Sequence, residues 1–122
     1  MKKSIIQKKS YQFALRVIKI YKFQTKDQKE FILSKQVLRS GTSIGANVNE
    51  AQLAESKNDS IHKMAISLKK SRETLYWLNL LHDSDFIEKD DFESIHKDCV
   101  ELKNILSSII LSSKEKKNNS TL

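Results

Sequence analysis

Proline is absent from this chain, and glycine occurs only at Gly41 and Gly45. So few breakers in 122 residues leave little to make the many turns that a β-rich fold of this length needs, so the expected class is all-α. One cysteine, Cys99, excludes an internal disulfide framework and fits a reducing cytoplasm. No apolar run approaches the length that spans a bilayer, and no basic start followed by a long apolar run marks a leader, so a soluble cytoplasmic protein with no membrane role is expected. Negative charge is missing from the start of the chain. Lys2, Lys3, Lys8, Lys9, Arg16, Lys19 and Lys22 all precede the first acid, Asp27, while the remaining fifteen basic residues are matched by fifteen acids. The whole formal charge of +7 therefore belongs to the first 24 residues.

Four helical segments follow from the spacing of apolar residues. The first is expected from about Ser10 to Phe23, with Tyr11, Ala14, Leu15, Ile18 and Tyr21 on one face and Phe13, Val17 and Ile20 beside it. The second, from about Lys26 to Ala54, has Asp27 and Glu30 in its first turn, where acids suit the positive end of the helix dipole. The third runs from near Ser60 to His82 behind an Asn58-Asp59-Ser60 cap, with Ile61, Met64, Leu68, Ser71, Leu75 and Leu78 as its seam. Phe86 and Ile87 are expected to fold back as a clasp. The fourth begins near Lys89 and carries the cleanest stripe, Phe92, Ile95, Cys99, Leu102, Leu106 and Ile109. Short connections between long helices give an up-and-down antiparallel four-helix bundle over residues 10–112, with a basic tail at 1–9 and a disordered one at 113–122.

Both glycines fall inside the second helix. Each costs a helix interior roughly 1 kcal/mol relative to alanine, which close approach of a neighbouring backbone can offset. Leu33, Val37, Ser40, Ile44, Val48 and Ala51 keep one small or apolar stripe in phase through them, so Gly41 and Gly45 read as a helix crossing. The alternative is a turn at Ser40-Gly41-Thr42 between two short helices.

Catalytic and metal signatures are lacking. His62, His82 and His96 show no paired-ligand spacing, and Cys99, three residues from His96, occupies a core position. Neither glycine belongs to a phosphate loop, and nothing marks a nucleophile with its base. No enzyme activity, cofactor or metal is expected. Two polar sets remain. Lys8, Lys9, Arg16, Lys19 and Lys22 are candidates for contact with RNA or DNA, with Arg16, Lys19 and Lys22 expected off the core seam; the competing reading is a solvated face. Arg39, Asn47 and Glu50 on the second helix, with Arg72 and Glu73 on the third, are candidates for a polar network that fixes helix register or an interface, against a reading as ordinary surface charges. The wide apolar arc of the first helix, and Tyr76, Trp77, Leu80 and Leu81 on the third, offer more apolar surface than one bundle core requires and point to a homo-oligomer.

The run Leu38-Arg-Ser-Gly-Thr-Ser-Ile-Gly-Ala-Asn-Val-Asn-Glu-Ala51, followed by Lys70-Ser-Arg-Glu-Thr-Leu-Tyr-Trp-Leu78, resembles the bacterial four-helix bundle proteins encoded within intervening sequences of 23S rRNA genes. The resemblance covers about residues 10 to 112. It implies an up-and-down bundle without catalysis, a ring-like homo-pentamer, and kinship with the accessory variability protein of diversity-generating retroelements, which works with nucleic acid and a reverse transcriptase. On the matching positions it implies that Arg39, Asn47, Glu50, Arg72 and Glu73 form the polar signature, with Gly41 and Gly45 at the close crossing. Many relatives carry proline where this chain has Gly45. A nucleic-acid-binding oligomer is the leading expectation, and a protein-interaction scaffold the alternative.

Overall fold

The computed structural model describes residues 4–120. Its elements are α1 (Ile5–Lys26), α2 (Leu33–Gln52), α3 (Lys57–Asp83) and α4 (Lys89–Ser120), with no strand among the described residues. Each helix packs on the next, and α1 closes the ring against α4, while the backbones of the diagonal pairs α1/α3 and α2/α4 do not approach closely. Lys9 bonds to Glu101 and Arg16 to Ser94, so α1 and α4 run in opposite directions. The bundle is therefore up-and-down and antiparallel.

Local chemistry moves three helix starts away from their expected positions. α1 begins at Ile5, not near Ser10, because Ser4 and Gln7 form a reciprocal capping box: Gln7 N–H donates to Ser4 Oγ at 3.3 Å and Ser4 N–H to Gln7 Oε1 at 3.0 Å. Residues 5–9 thus belong to the helix, whereas Lys2 and Lys3 lie outside the described residues. α2 begins at Leu33, seven residues later than expected at Lys26. Lys29 takes a positive φ of 55°, which ends α1, and Glu30 then accepts the N–H groups of Ile32, Leu33 and Ser34 at 2.9, 2.8 and 2.7 Å. Glu30 is a cap placed ahead of the helix, where the sequence pattern reads as a first-turn acid. α3 starts at Lys57 because Ser56, not Asn58 to Ser60, supplies the cap, its Oγ accepting Asp59 N–H at 3.1 Å. α4 starts at Lys89 as expected but continues to Ser120, through residues 113–120 that lack apolar periodicity; Lys117 bonds to Asn58 at the start of α3.

Phe13, Val17, Val37, Ile44, Val48, Leu78, Leu81, Ile95, Cys99, Leu102 and Leu106 form the centre of the core. The α2 and α4 stripes lie inward as their spacing predicts. α1 differs: Tyr11 and Leu15 point outward, and Phe13 and Val17 carry the inner face beside buried Ser10. On α3 the innermost positions include Ser67, Ser71 and Thr74, while Leu68 and Leu75 are only partly buried. Small hydroxyl residues win these places because α2 and α3 approach closely there and the hydroxyls find partners. Ser67 Oγ donates to Ile44 O at 2.8 Å, and Thr74 Oγ1 to Ser40 Oγ at 2.9 Å. Leu81 is fully buried, so it belongs to the core and not to surplus outer surface. Phe86 and Ile87 close the end of the bundle.

α2 is continuous through both glycines. A Cβ on Gly41 would stand 2.9 Å from Val17 Cγ2, and one on Gly45 would stand 3.4 Å from Ser10 O. α1 crosses α2 at these two points, and the tighter one is Gly41.

Candidate nucleic-acid interface

α1 contains six basic residues and no acid, so its charge must be balanced from elsewhere or left facing solvent. The structure divides the five candidates into two groups. Lys9 Nζ lies 2.6 Å from Glu101, while Arg16 pairs with Asp98 and donates a second bond to Ser94 Oγ at 3.0 Å. These side chains bridge the seam between α1 and α4. Arg16 lies outside the apolar core, as expected, but its position beside Phe13 and Val17 turns it toward α4, where it pairs across the helix boundary. Lys8, Lys19 and Lys22 are exposed and make no ion pair among the described residues. They share an outward stripe with Gln12, Leu15 and Lys26 at helical steps of three and four, and a span of eighteen residues makes this stripe about 27 Å long.

The acidic partners were legible only in part. Asp91, Ser94, Asp98 and Glu101 recur at steps of three and four beside the Ile95–Leu102 seam, which places them on one flank of α4. That flank meets α1 only because α4 is its neighbour in the ring.

Along the same seam, nearer the start of α4, Arg16, Lys19, Ile20, Phe23, Gln24, Ile87 and Asp91 line a cavity of about 330 Å³. Gln24 is completely buried and its Nε2 donates to Phe86 O at 2.8 Å. Sequence reasoning missed Gln24, because a glutamine among basic and aromatic residues carries no signal of burial.

The second polar set is dispersed within the chain. Glu50 pairs with Lys63 at 3.0 Å, Glu73 with Lys70 at 3.4 Å, and Asn47 Nδ2 donates to Ser43 O at 2.8 Å. Arg39 and Arg72 are exposed without an ionic partner among the described residues. No bond joins any two of these five residues. Adjacent positions are about 100° apart around a helix, so Arg72 and Glu73 cannot both face α2.

His82 and His96 meet one aromatic ring, and Cys99 is buried. His82 stacks on Phe92 with ring centres 4.2 Å apart, and His96 packs on the same ring at 5.2 Å. Burial pushes the Cys99 thiol up to about 12, with Lys103 lowering and Asp98 raising it to a smaller extent. Among the described residues no cluster of three His, Cys, Asp or Glu side chains could hold a metal ion, and no helix is long and apolar enough to cross a membrane.

These features define an all-helical bundle with a basic outer stripe on its first helix. The chain belongs to the 23S rRNA-intervening sequence protein family, whose model matches residues 2–108. It is similar to the crystal structure of a protein with unknown function from the S23 ribosomal protein family of Bacteroides thetaiotaomicron, with 49% sequence identity and a TM-score of 0.86, covering 87% of this chain and 98% of that one. No curated protein matches the chain.

Proposed function

We propose that this protein is a non-enzymatic homo-oligomer of the cytoplasm that binds RNA or DNA through the outer face of α1. The observation that carries this reading is the stripe of Lys8, Lys19 and Lys22, joined by Lys26, on a helix without a single acid. Phosphate contact by such a stripe releases counterions and reads little of the base sequence. Lys9 and Arg16 hold the helix against α4, and any contact they make to nucleic acid competes with Glu101 and Asp98. Oligomerisation multiplies the stripe and covers outward apolar side chains away from it, such as Tyr76. The resemblance to the intervening-sequence bundles favours a ring-like pentamer, in which Arg39, Asn47, Glu50, Arg72 and Glu73 can meet between subunits.

The test is a titration of labelled RNA and DNA at several salt concentrations, with the oligomeric mass measured by sedimentation. Affinity should fall steeply with salt. K8Q/K19Q/K22Q should weaken binding and flatten the salt slope by roughly 0.7 to 0.9 for each phosphate that the variant no longer neutralises. A folded triple variant that binds as tightly as the parent would turn the reading into that of a protein-interaction scaffold with a solvated basic face.

A further inference from the structure

The end of the bundle where α1 passes to α2 and α3 to α4 carries a groove and a projection side by side. The groove is an open cavity of about 760 Å³ lined by Phe23 and Phe86, by Gln28 of the α1–α2 loop, and by Asp85, Glu88 and Asp91. Its two basic members have partners of their own: Lys89 lies 3.9 Å from Glu93, and His82 lies 3.3 Å from Asp83 and stacks on Phe92. The three carboxylates have no ion pair among the described residues, so the groove keeps an uncompensated negative charge. The projection is the α1–α2 loop. Glu30 turns inward to accept the N–H groups of Ile32, Leu33 and Ser34, which leaves its neighbours outside: Phe31 is 57% and Ile32 76% exposed. Lys29, on the other side of Glu30, is exposed and unpaired among the described residues. Two adjacent large apolar side chains beside a free cation, held in place by a buried cap, form a pre-organised contact with nothing on it.

We infer that this end is a self-complementary docking surface on which two copies of the chain pair about a two-fold axis, the α1–α2 loop of each entering the groove of the other. Lys29 answers the carboxylates of Asp85, Glu88 and Asp91, and Phe31 and Ile32 meet the rings of Phe23 and Phe86. The loop does not fill its own groove: Gln28 reaches the lining, but Lys29 pairs with none of the three carboxylates in its own chain. A second copy is the occupant because each chain presents, beside the groove, the cation and the apolar pair that the groove lacks. A patch that holds both halves of a contact closes on itself as a pair and leaves no free end to build a filament. The inference is separate from the nucleic-acid reading, since none of its residues belongs to the stripe of Lys8, Lys19 and Lys22. The doubling applies to whatever unit the outer faces assemble.

The experiment is sedimentation of the full chain without nucleic acid, at concentrations up to about 1 mM so that even a weak contact is populated. The parent should reach twice the mass of K29E and twice that of E88K/D91K, because each variant sets like charges against each other in both halves of the contact. An equimolar mixture of the two variants should recover the mass of the parent. In that mixed pair the reversed loop of one copy meets the reversed groove of the other, and the unaltered loop meets the unaltered groove. F31S/I32S should also halve the mass. All of these side chains are exposed, so the fold survives, and circular dichroism checks that it does. Equal mass for the parent and the variants, a mixture that stays at the mass of the variants, or a fall to anything other than half would overturn the two-fold pairing. None of these outcomes bears on the salt-dependent titration of RNA and DNA, which tests the basic stripe by itself.

Discussion

Gly41 lies against Val17 so closely that a Cβ on the glycine would stand 2.9 Å from Val17 Cγ2 and 3.1 Å from Cγ1. Val17 is fully buried and has nowhere to retreat. Gly41→Ala should therefore destabilise the bundle by up to about 2 kcal/mol, because an overpacking cost of up to about 3 kcal/mol exceeds the helix-propensity gain of about 1 kcal/mol. Gly45→Ala meets only ordinary contact at 3.4 Å from Ser10 and should keep most of that gain. Urea unfolding of the two variants should show opposite signs. Val17→Ala should recover part of the Gly41→Ala loss, and additive effects in the double variant would contradict this account of the crossing.

Glu30 should make the start of α2 sensitive to acid. Burial alone would raise its pKa, but the N–H groups of Ser34, Leu33 and Ile32, together with the Ser34 side chain, outweigh burial and leave it below its ordinary value of 4.5. A carboxyl depressed in the folded state stabilises the fold above its unfolded pKa and loses that contribution as pH falls through the folded one. Glu30→Gln should cost about 1 to 2 kcal/mol at neutral pH, the scale of a missing helix cap. The gap to the parent should narrow below about pH 4.5. A gap independent of pH would show that the charge on Glu30 is immaterial.

Arg16 and Lys19 are three residues apart but should behave differently. Arg16→Gln removes the links to Asp98 and Ser94, so amide exchange should accelerate along the α1/α4 seam. Because both members of the pair are partly exposed, the loss of global stability should stay below about 1 kcal/mol. Lys19→Gln should leave exchange unchanged and reduce nucleic-acid affinity. Identical exchange in Arg16→Gln and the parent would remove Arg16 from the seam.

Cys99 should resist thiol reagents in the native protein, since its side chain is fully buried and its pKa is raised to about 12. Modification should proceed only as fast as the bundle opens, and rise with urea in step with unfolding. Rapid labelling in buffer would mean that the α3/α4 seam opens well below the global unfolding free energy.

The sequence by itself determined the helical class, the four elements and the inward stripes of α2 and α4. Absence of proline, scarcity of glycine and a period near 3.6 are local properties, and each reports the backbone state of its own segment. It also carried the crossing at Gly41 and Gly45, because glycine in a helix is locally unfavourable and its cost implies a neighbour. Only tertiary structure decided which α1 face turns inward: Phe13, Val17, Tyr11 and Leu15 are equally apolar to a local rule, and the contact with Gly41 selects Val17. The division of the lysines had the same origin. Lys9 and Lys8 are indistinguishable in sequence, yet one step around the helix turns Lys9 toward Glu101 and leaves Lys8 in solvent. Pairing across 92 residues depends on which helix stands beside which, and periodicity within a segment carries no information about that.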